Sequence, residues 1–337
     1  MKKPLLGPCD SYQLEPFEYP WAWEMARECE QNTWTPEEIP VAGDVAQWKG
    51  TLLEEERHLF LSIMSQLTTF DIQRGDDAAE TFLALLQPAE IKHFLKRLVW
   101  EEALHTRSYR YVIENMGLDL EIYDRWRTVP AMKARIDLGN RLSDAAQAVY
   151  TKRVRDPSYE FTTRDKQEIL FAMIFWFLCF EGVWFVMGLS GPVQALARTG
   201  KFEGAAEQFR YILRDEFQHI RFGQHVVKEY MAQYPECMTD SFKDAISRLM
   251  ETTIGMERDY IVYCLPNPIL GYNTSDHVET AKWYANLRMH AIGLDPVYTG
   301  VEHKFPWMAE MTNIRKETNF FEKRPTEYRT GGALSWD

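Results

Sequence analysis

Apolar residues recur every three to four positions in seven long blocks, near 47–73, 87–116, 130–153, 163–190, 206–232, 238–264 and 276–290. That is the period of an α-helix burying one face, and strand-like alternation is nearly absent. Turn chemistry punctuates the blocks: Gly117 after the second, Asp156-Pro157 and a Thr162-Thr163 cap before the fourth, Gly191-Pro192 after it, and Pro266-Asn267-Pro268 before the last. The pattern predicts an all-α bundle of long helices in one domain, without internal repeats. Residues 1–45, rich in Pro and Trp, are expected to form an N-terminal extension, 46–321 the helical domain, and 322–337 (EKRPTEYRTGGALSWD) a flexible polar tail.

The fourth block is apolar enough to raise the question of a membrane. Ile169 to Phe180 is an unbroken apolar run, and GVWFVMGL comes directly after Glu181. The span reaches bilayer length, yet it holds an acid at its centre and no second such segment exists to pair that charge. It is expected as a helix buried on all sides of a soluble bundle. Composition agrees: 337 residues with 45% hydrophobic and 14% aromatic content supply a large core. A net charge of −12 argues against binding nucleic-acid phosphates or anionic lipid. Five scattered cysteines without a CxxC pair suggest neither a disulfide framework nor a thiolate metal site, and MKKPLLGPCD is too short in apolar residues for a signal peptide. A reducing cytoplasm is expected.

Glu-x-x-His occurs four times, as Glu55/His58, Glu90/His93, Glu102/His105 and Glu216/His219. Residues three apart share a helix face, so one carboxylate oxygen and one imidazole nitrogen can meet a single metal ion. At about 100° per residue, Ile91, Phe94, Leu95, Leu98 and Val99 form an inner stripe that Glu102, His105 and Tyr109 continue, while His93 falls opposite. In the first block Leu52, Leu53, Leu59, Phe60 and Ile63 define the inner face and His58 points away. Both of those pairs are therefore expected in solvent. Glu216 and His219 lie on the stripe of Phe209, Ile212, Leu213, Ile220, Gly223 and Val227.

A core histidine bonded to its preceding glutamate would explain either inward pair alone. Two such pairs together with further buried acids call for a stronger compensation, and divalent metal ions provide it. Glu181 stands alone in the most apolar helix. Asp71 is the least distinct of the acids, because Gln73, Arg74, Asp76 and Asp77 would also suit an exposed helix end. One acid and one Glu-x-x-His, twice over on four helices, is the arrangement of ferritin-like di-iron and di-manganese carboxylate proteins. Oxygen and nitrogen donors without thiolate favour iron or manganese. Iron at both positions is the first expectation, with two manganese ions or one of each also compatible.

From about residue 15 to 337 the chain resembles the small, radical-generating subunit of class I ribonucleotide reductase. The resemblance rests on EEALHTRSYRYVIENMG, with a tyrosine four residues after the histidine, on RDEFQHIRF and on CFEGVWF. It implies that Asp71, Glu102 and His105 ligate one metal and Glu181, Glu216 and His219 the other, that Tyr109 holds a radical, and that Phe185 shields its pocket. It further implies that Trp34 passes an electron, with Asp215 linking Trp34 to a ligating histidine. Tyr328 would continue the path in the tail, and Leu334-Ser335-Trp336-Asp337 would dock on the large catalytic subunit. A homodimer and a possible activating flavoprotein belong to the same expectation. The alternatives are a stand-alone di-metal oxidase or desaturase and a metal-storage bundle, neither of which needs Trp34 or the tail.

Overall fold

The structure is a computed structural model that describes residues 3–7, 14–50, 52–269 and 271–312. Tyr328 and the terminal Leu334 to Asp337 lie outside the described residues. The helices are α1 (Pro20–Gln31), α2 (Ala42–Lys49), α3 (Glu54–Gln73), α4 (Glu80–Leu85), α5 (Ala89–Met116), α6 (Arg125–Thr128), α7 (Pro130–Arg155), α8 (Thr163–Ile174), α9 (Val186–Ser190), α10 (Pro192–Ala197), α11 (Glu203–Gln233), α12 (Asp240–Cys264), α13 (Thr274–Ala291) and α14 (Pro306–Thr312). Among the described residues the only β pairing is an isolated bridge, Ile269 to Tyr272.

Local chemistry sets the helix ends. Gly117 takes the left-handed conformation (φ 65°) that closes α5. Thr162 accepts from the Asp165 backbone N–H while the Asp165 side chain reaches back to Thr162, a reciprocal cap that starts α8. Two joints inside the rods are π-helical. Arg74–Ala79 joins α3 to α4, and Phe175–Phe185 joins α8 to α9. A π turn inserts a residue and rotates the succeeding turns about the helix axis, and such turns concentrate at functional sites.

Four rods form the centre: α3 with its π extension, α5, the α8–π–α9 rod and α11. The α3 rod packs on α5, and α11 packs on both α5 and the second π segment. Outside them, α7 covers α8, α13 covers the second π segment, and α1 lies along α5 and α11. The apolar span from Thr163 to Ala197 is almost wholly buried in this bundle, as a core helix. Helix α1 falls inside the segment read from sequence as an extension, because Ala22, Met25, Ala26 and Cys29 give even that stretch a buried face.

Two helix-wheel assignments are corrected. Leu53 is 62% exposed, because α3 begins after it and it occupies the cap rather than the inner face. Val99 is half-buried at the margin of its stripe.

Close approach of α11 to the second π segment depends on Gly223, where an added Cβ would collide with the Cβ and ring of Phe177. Gly223→Ala should cost at least about 2 kcal/mol. An unchanged urea midpoint would show that the two elements do not press together there.

Candidate metal centre

Each central rod brings acids to one point. Asp71 stands at the end of α3, Glu102 and His105 share a face of α5, Glu181 sits in the second π segment, and Glu216 and His219 share a face of α11. All six are buried. Their donor atoms fall into two groups, Asp71, Glu102, His105 and Glu216, and Glu102, Glu181, Glu216 and His219, with all atoms of a group within 4.8 Å of one another. Asp71 is thus a core residue and not an exposed helix end, because the π joint carries the rod onward with Gln73 and Arg74 buried beside it.

The shared residues divide evenly. Glu102 turns Oε2 to His105 Nδ1 (3.6 Å) and Oε1 to His219 Nδ1 (3.5 Å). Glu216 turns Oε1 to His105 Nδ1 (3.3 Å) and Oε2 to His219 Nδ1 (3.4 Å). Asp71 Oδ2 lies 3.7 Å from His105 Nδ1, and Glu181 Oε1 lies 3.8 Å from His219 Nδ1. Such separations suit two donors each about 2.1 Å from a common ion.

Both oxygens of Asp71, Glu102 and Glu216, Oε2 of Glu181 and Nδ1 of both histidines have no hydrogen-bond partner. Buried polar atoms are ordinarily paired, so this concentration of unpaired donors fits a pair of cations. Charge fits too, since four carboxylates match two divalent ions.

Titration behaviour reports the same strain. Burial and the Glu102 charge push Asp71 well above the carboxylate range, and burial with the Glu216 charge raises Glu102. Burial lifts Glu181 to about 8 despite the opposing charge of Arg74. Burial would raise Glu216 as well, but His105 and His219 hold it near about 2. The imidazoles are raised well above their ordinary value, because Asp215 beside His105 and Glu101 beside His219 outweigh the burial that would lower them.

Around this set lies a second, matched layer. His105 Nε2 meets Asp215 Oδ2 at 3.4 Å, and Arg214 Nε donates to Asp215 Oδ1 at 3.3 Å. His219 Nε2 meets Glu101 Oε2 at 3.0 Å, and Arg97 Nε donates to Glu101 Oε1 at 3.0 Å. Carboxylates in this position fix the ring and direct its other nitrogen to the metal. Sequence reasoning missed Glu101. Its signal was present: both ligand segments read acid-Glu-x-x-His, as EEALH and DEFQH.

Trp34 is buried, and its Nε1 donates to the same Asp215 Oδ2 at 2.8 Å, so indole, carboxylate and imidazole form one contact chain. Tyr109 is buried with the Phe209 ring edge 6.0 Å away. Its hydroxyl makes no well-formed hydrogen bond, with Asp71 the nearest-acting carboxylate, and burial followed by the Asp71 and Glu216 charges holds it well above its ordinary value. Phe185 is buried against Phe70 and Phe180.

The two remaining Glu-x-x-His pairs stay outside this centre. His58 Nε2 contacts the Tyr263 carbonyl (2.8 Å) and Glu55 is exposed. His93 stacks on Trp23 with ring centroids 4.4 Å apart. Glu90 departs from the expected solvated position: it is buried and accepts from the backbone N–H groups of Glu18 (2.8 Å) and Tyr19 (2.7 Å), capping the approach to α1. Glu90→Ala should destabilise the fold by about 1–3 kcal/mol by orphaning those donors while leaving metal content unchanged. Metal loss in the folded variant, read by elemental analysis, would place Glu90 in the centre.

Comparison with known proteins agrees with this geometry. Residues 11–306 match the model of the family "Ribonucleotide reductase, small chain". The chain is 32% identical to the ribonucleoside-diphosphate reductase subunit beta of Chlamydia pneumoniae, covering 97% of this chain and 92% of the relative. It is similar to the R2 subunit of Clostridium botulinum, with a TM-score of 0.75, 26% identity, and coverage of 88% and 89% of the two chains. The dimanganese(II)-NrdF of Streptococcus sanguinis shares the fold, with a TM-score of 0.73, 17% identity, and coverage of 90% and 98%. A ferritin-like bundle with a buried double carboxylate-histidine site, matched by that family over most of its length, belongs to the small chain family of ribonucleotide reductase.

Proposed function

We propose that this chain is the radical-generating small subunit of a ribonucleoside-diphosphate reductase, with Asp71, Glu102 and His105 at one metal position and Glu181, Glu216 and His219 at the other. The observation that carries the reading is the division of Glu102 and Glu216, each with one oxygen toward either histidine. When bound, two iron or manganese ions supply one-electron oxidising power drawn from an oxygen species.

The protein residues govern where that oxidising power goes. Tyr109 gives up one electron and its hydroxyl proton, and Asp71, the carboxylate acting most strongly on the phenol, stands beside it as proton acceptor. The burial that keeps water from the hydroxyl also protects the resulting radical. Asp215 holds Trp34 and His105 on one oxygen and so joins the centre to the N-terminal segment. An electron from the large catalytic subunit would enter by Trp34, with Tyr328 and the Leu334 to Asp337 anchor completing the route from outside the described residues. Nucleotide reduction then takes place on the partner. Residues 1–45 act as the extension carrying Trp34, 46–321 as the metal-holding domain and 322–337 as the docking tail. Assembly as a homodimer, activation by a flavoprotein and residence in the cytoplasm complete the proposal.

Glu102→Ala and Glu216→Ala should each lose metal at both positions, since each removes an oxygen from both groups. Two ions retained in either variant would overturn the ligand assignment. Trp34→Phe should keep full metal content and the Tyr109 radical signal while nucleotide reduction with excess large subunit falls by at least about a hundredfold, because phenylalanine is far harder to oxidise and cannot donate to Asp215. Tyr109→Phe should abolish the radical signal with the metals retained. Wild-type turnover in the Trp34 variant would remove it from the electron path.

A further inference from the structure

The two halves of the centre match through two layers: three carboxylates and a histidine at each position, then a carboxylate on the histidine, then an arginine on that carboxylate. One charge has no counterpart. Arg74 is fully buried, and its Nε donates to Glu181 Oε1 at 2.5 Å. Its guanidinium lies over the Phe177 ring (4.7 Å to the centroid) and near that of Trp176 (5.8 Å), and both terminal nitrogens lack partners. Glu181 is its only anionic contact among the described residues. Arg74 opens the first π turn and, three residues after Asp71, shares the inward face of the same rod.

We propose that Arg74 makes the two metal positions unequal, holding Glu181 in the metal-free chain and competing with the incoming ion for it, so that the Asp71 position fills first and the Glu181 position second and more weakly. The inference rests on the ligand assignment above and deepens it by giving the order of loading. The physical basis is a guanidinium bonded directly to a ligand of one position and to none of the other, in a pocket of low polarity where a unit charge acts strongly over a few ångströms. Arg74 is a positioning residue that acts through Glu181, and guanidinium chemistry suits the role because it stays charged in an apolar pocket.

The test is anaerobic calorimetric titration of the full metal-free chain with Mn(II), with paramagnetic resonance counting the bound ions. Wild type should show two steps. Arg74→Met keeps a long apolar side chain and removes the charge, and should tighten the second step by about tenfold or more while shifting the first by less than about threefold. Its metal-free melting temperature should fall, because Glu181 loses its partner, and the rise on metal addition should exceed that of wild type. Arg74→Lys should restore the separation of the two steps, which a purely structural role would not require. An unchanged ratio of the two constants in a folded Arg74→Met overturns the proposal, as does a weakened second step. If that variant does not fold, Arg74→Gln, which can still donate to Glu181, must narrow the separation or the proposal fails. Two steps in wild type that persist in Glu102→Ala overturn the ligand assignment instead, and fewer than two ions in wild type overturn both.

Discussion

Four carboxylates cannot share one dry pocket unless something positive joins them. Asp71, Glu102, Glu181 and Glu216 are buried around two imidazoles whose inward nitrogens have no hydrogen-bond partner. The rise of Asp71, Glu102 and Glu181 through burial and neighbouring charge expresses that repulsion, and Glu216 falls because its hydrogen bonds to His105 and His219 outweigh its burial. Much of the remaining architecture serves to maintain the arrangement against it. Long helices give each ligand a rigid base, and an aromatic shell of Phe70, Phe180, Phe185 and Trp184 fixes the rods that carry Asp71 and Glu181. The metal-free fold therefore holds unfavourable charge in place through packing elsewhere, and the gain from relieving it becomes binding energy for cations.

Matched outer layers explain how such a site keeps its geometry. Each imidazole is clamped by an acid adjacent in sequence to a glutamate shared by both donor groups, Glu101 next to Glu102 and Asp215 next to Glu216. Neighbours in sequence point about 100° apart on a helix. Each acidic pair can thus reach inward with one member and sideways, to the histidine of the facing helix, with the other. The two helices brace one another through this exchange, His219 of α11 against Glu101 of α5 and His105 of α5 against Asp215 of α11.

Short helices such as α4, α6 and α10 were not legible, whereas the fourth block as a core helix and the all-α architecture were, because each depends on local periodicity extended over many turns. Glu102, His105, Glu216 and His219 were legible for the same reason, each lying on a stripe its own helix defines. Legibility failed where the period itself changed. Past Gln73 the α3 rod passes into a π turn, and the run of polar residues after Asp71 reads in sequence as an exposed helix end although Gln73 and Arg74 are buried. Glu90 failed differently, since it is buried by contact with a segment some seventy residues earlier that no pattern within α5 reveals. Burial of α1 was likewise masked by the prolines and charged residues around its short apolar face.

Near-symmetry gives the remaining differences their meaning. One histidine's acid also binds Trp34, while on the neighbouring rod Glu181 meets Arg74. An indole bonded to a carboxylate is a poor cation ligand and a good electron donor, whereas a guanidinium cannot be oxidised readily but alters the energy of any cation nearby. Under the proposed function, electron transfer and ion placement would thereby fall to different residues around one cluster. Neither end needs to disturb Glu102 and Glu216, the two residues through which both positions are coupled.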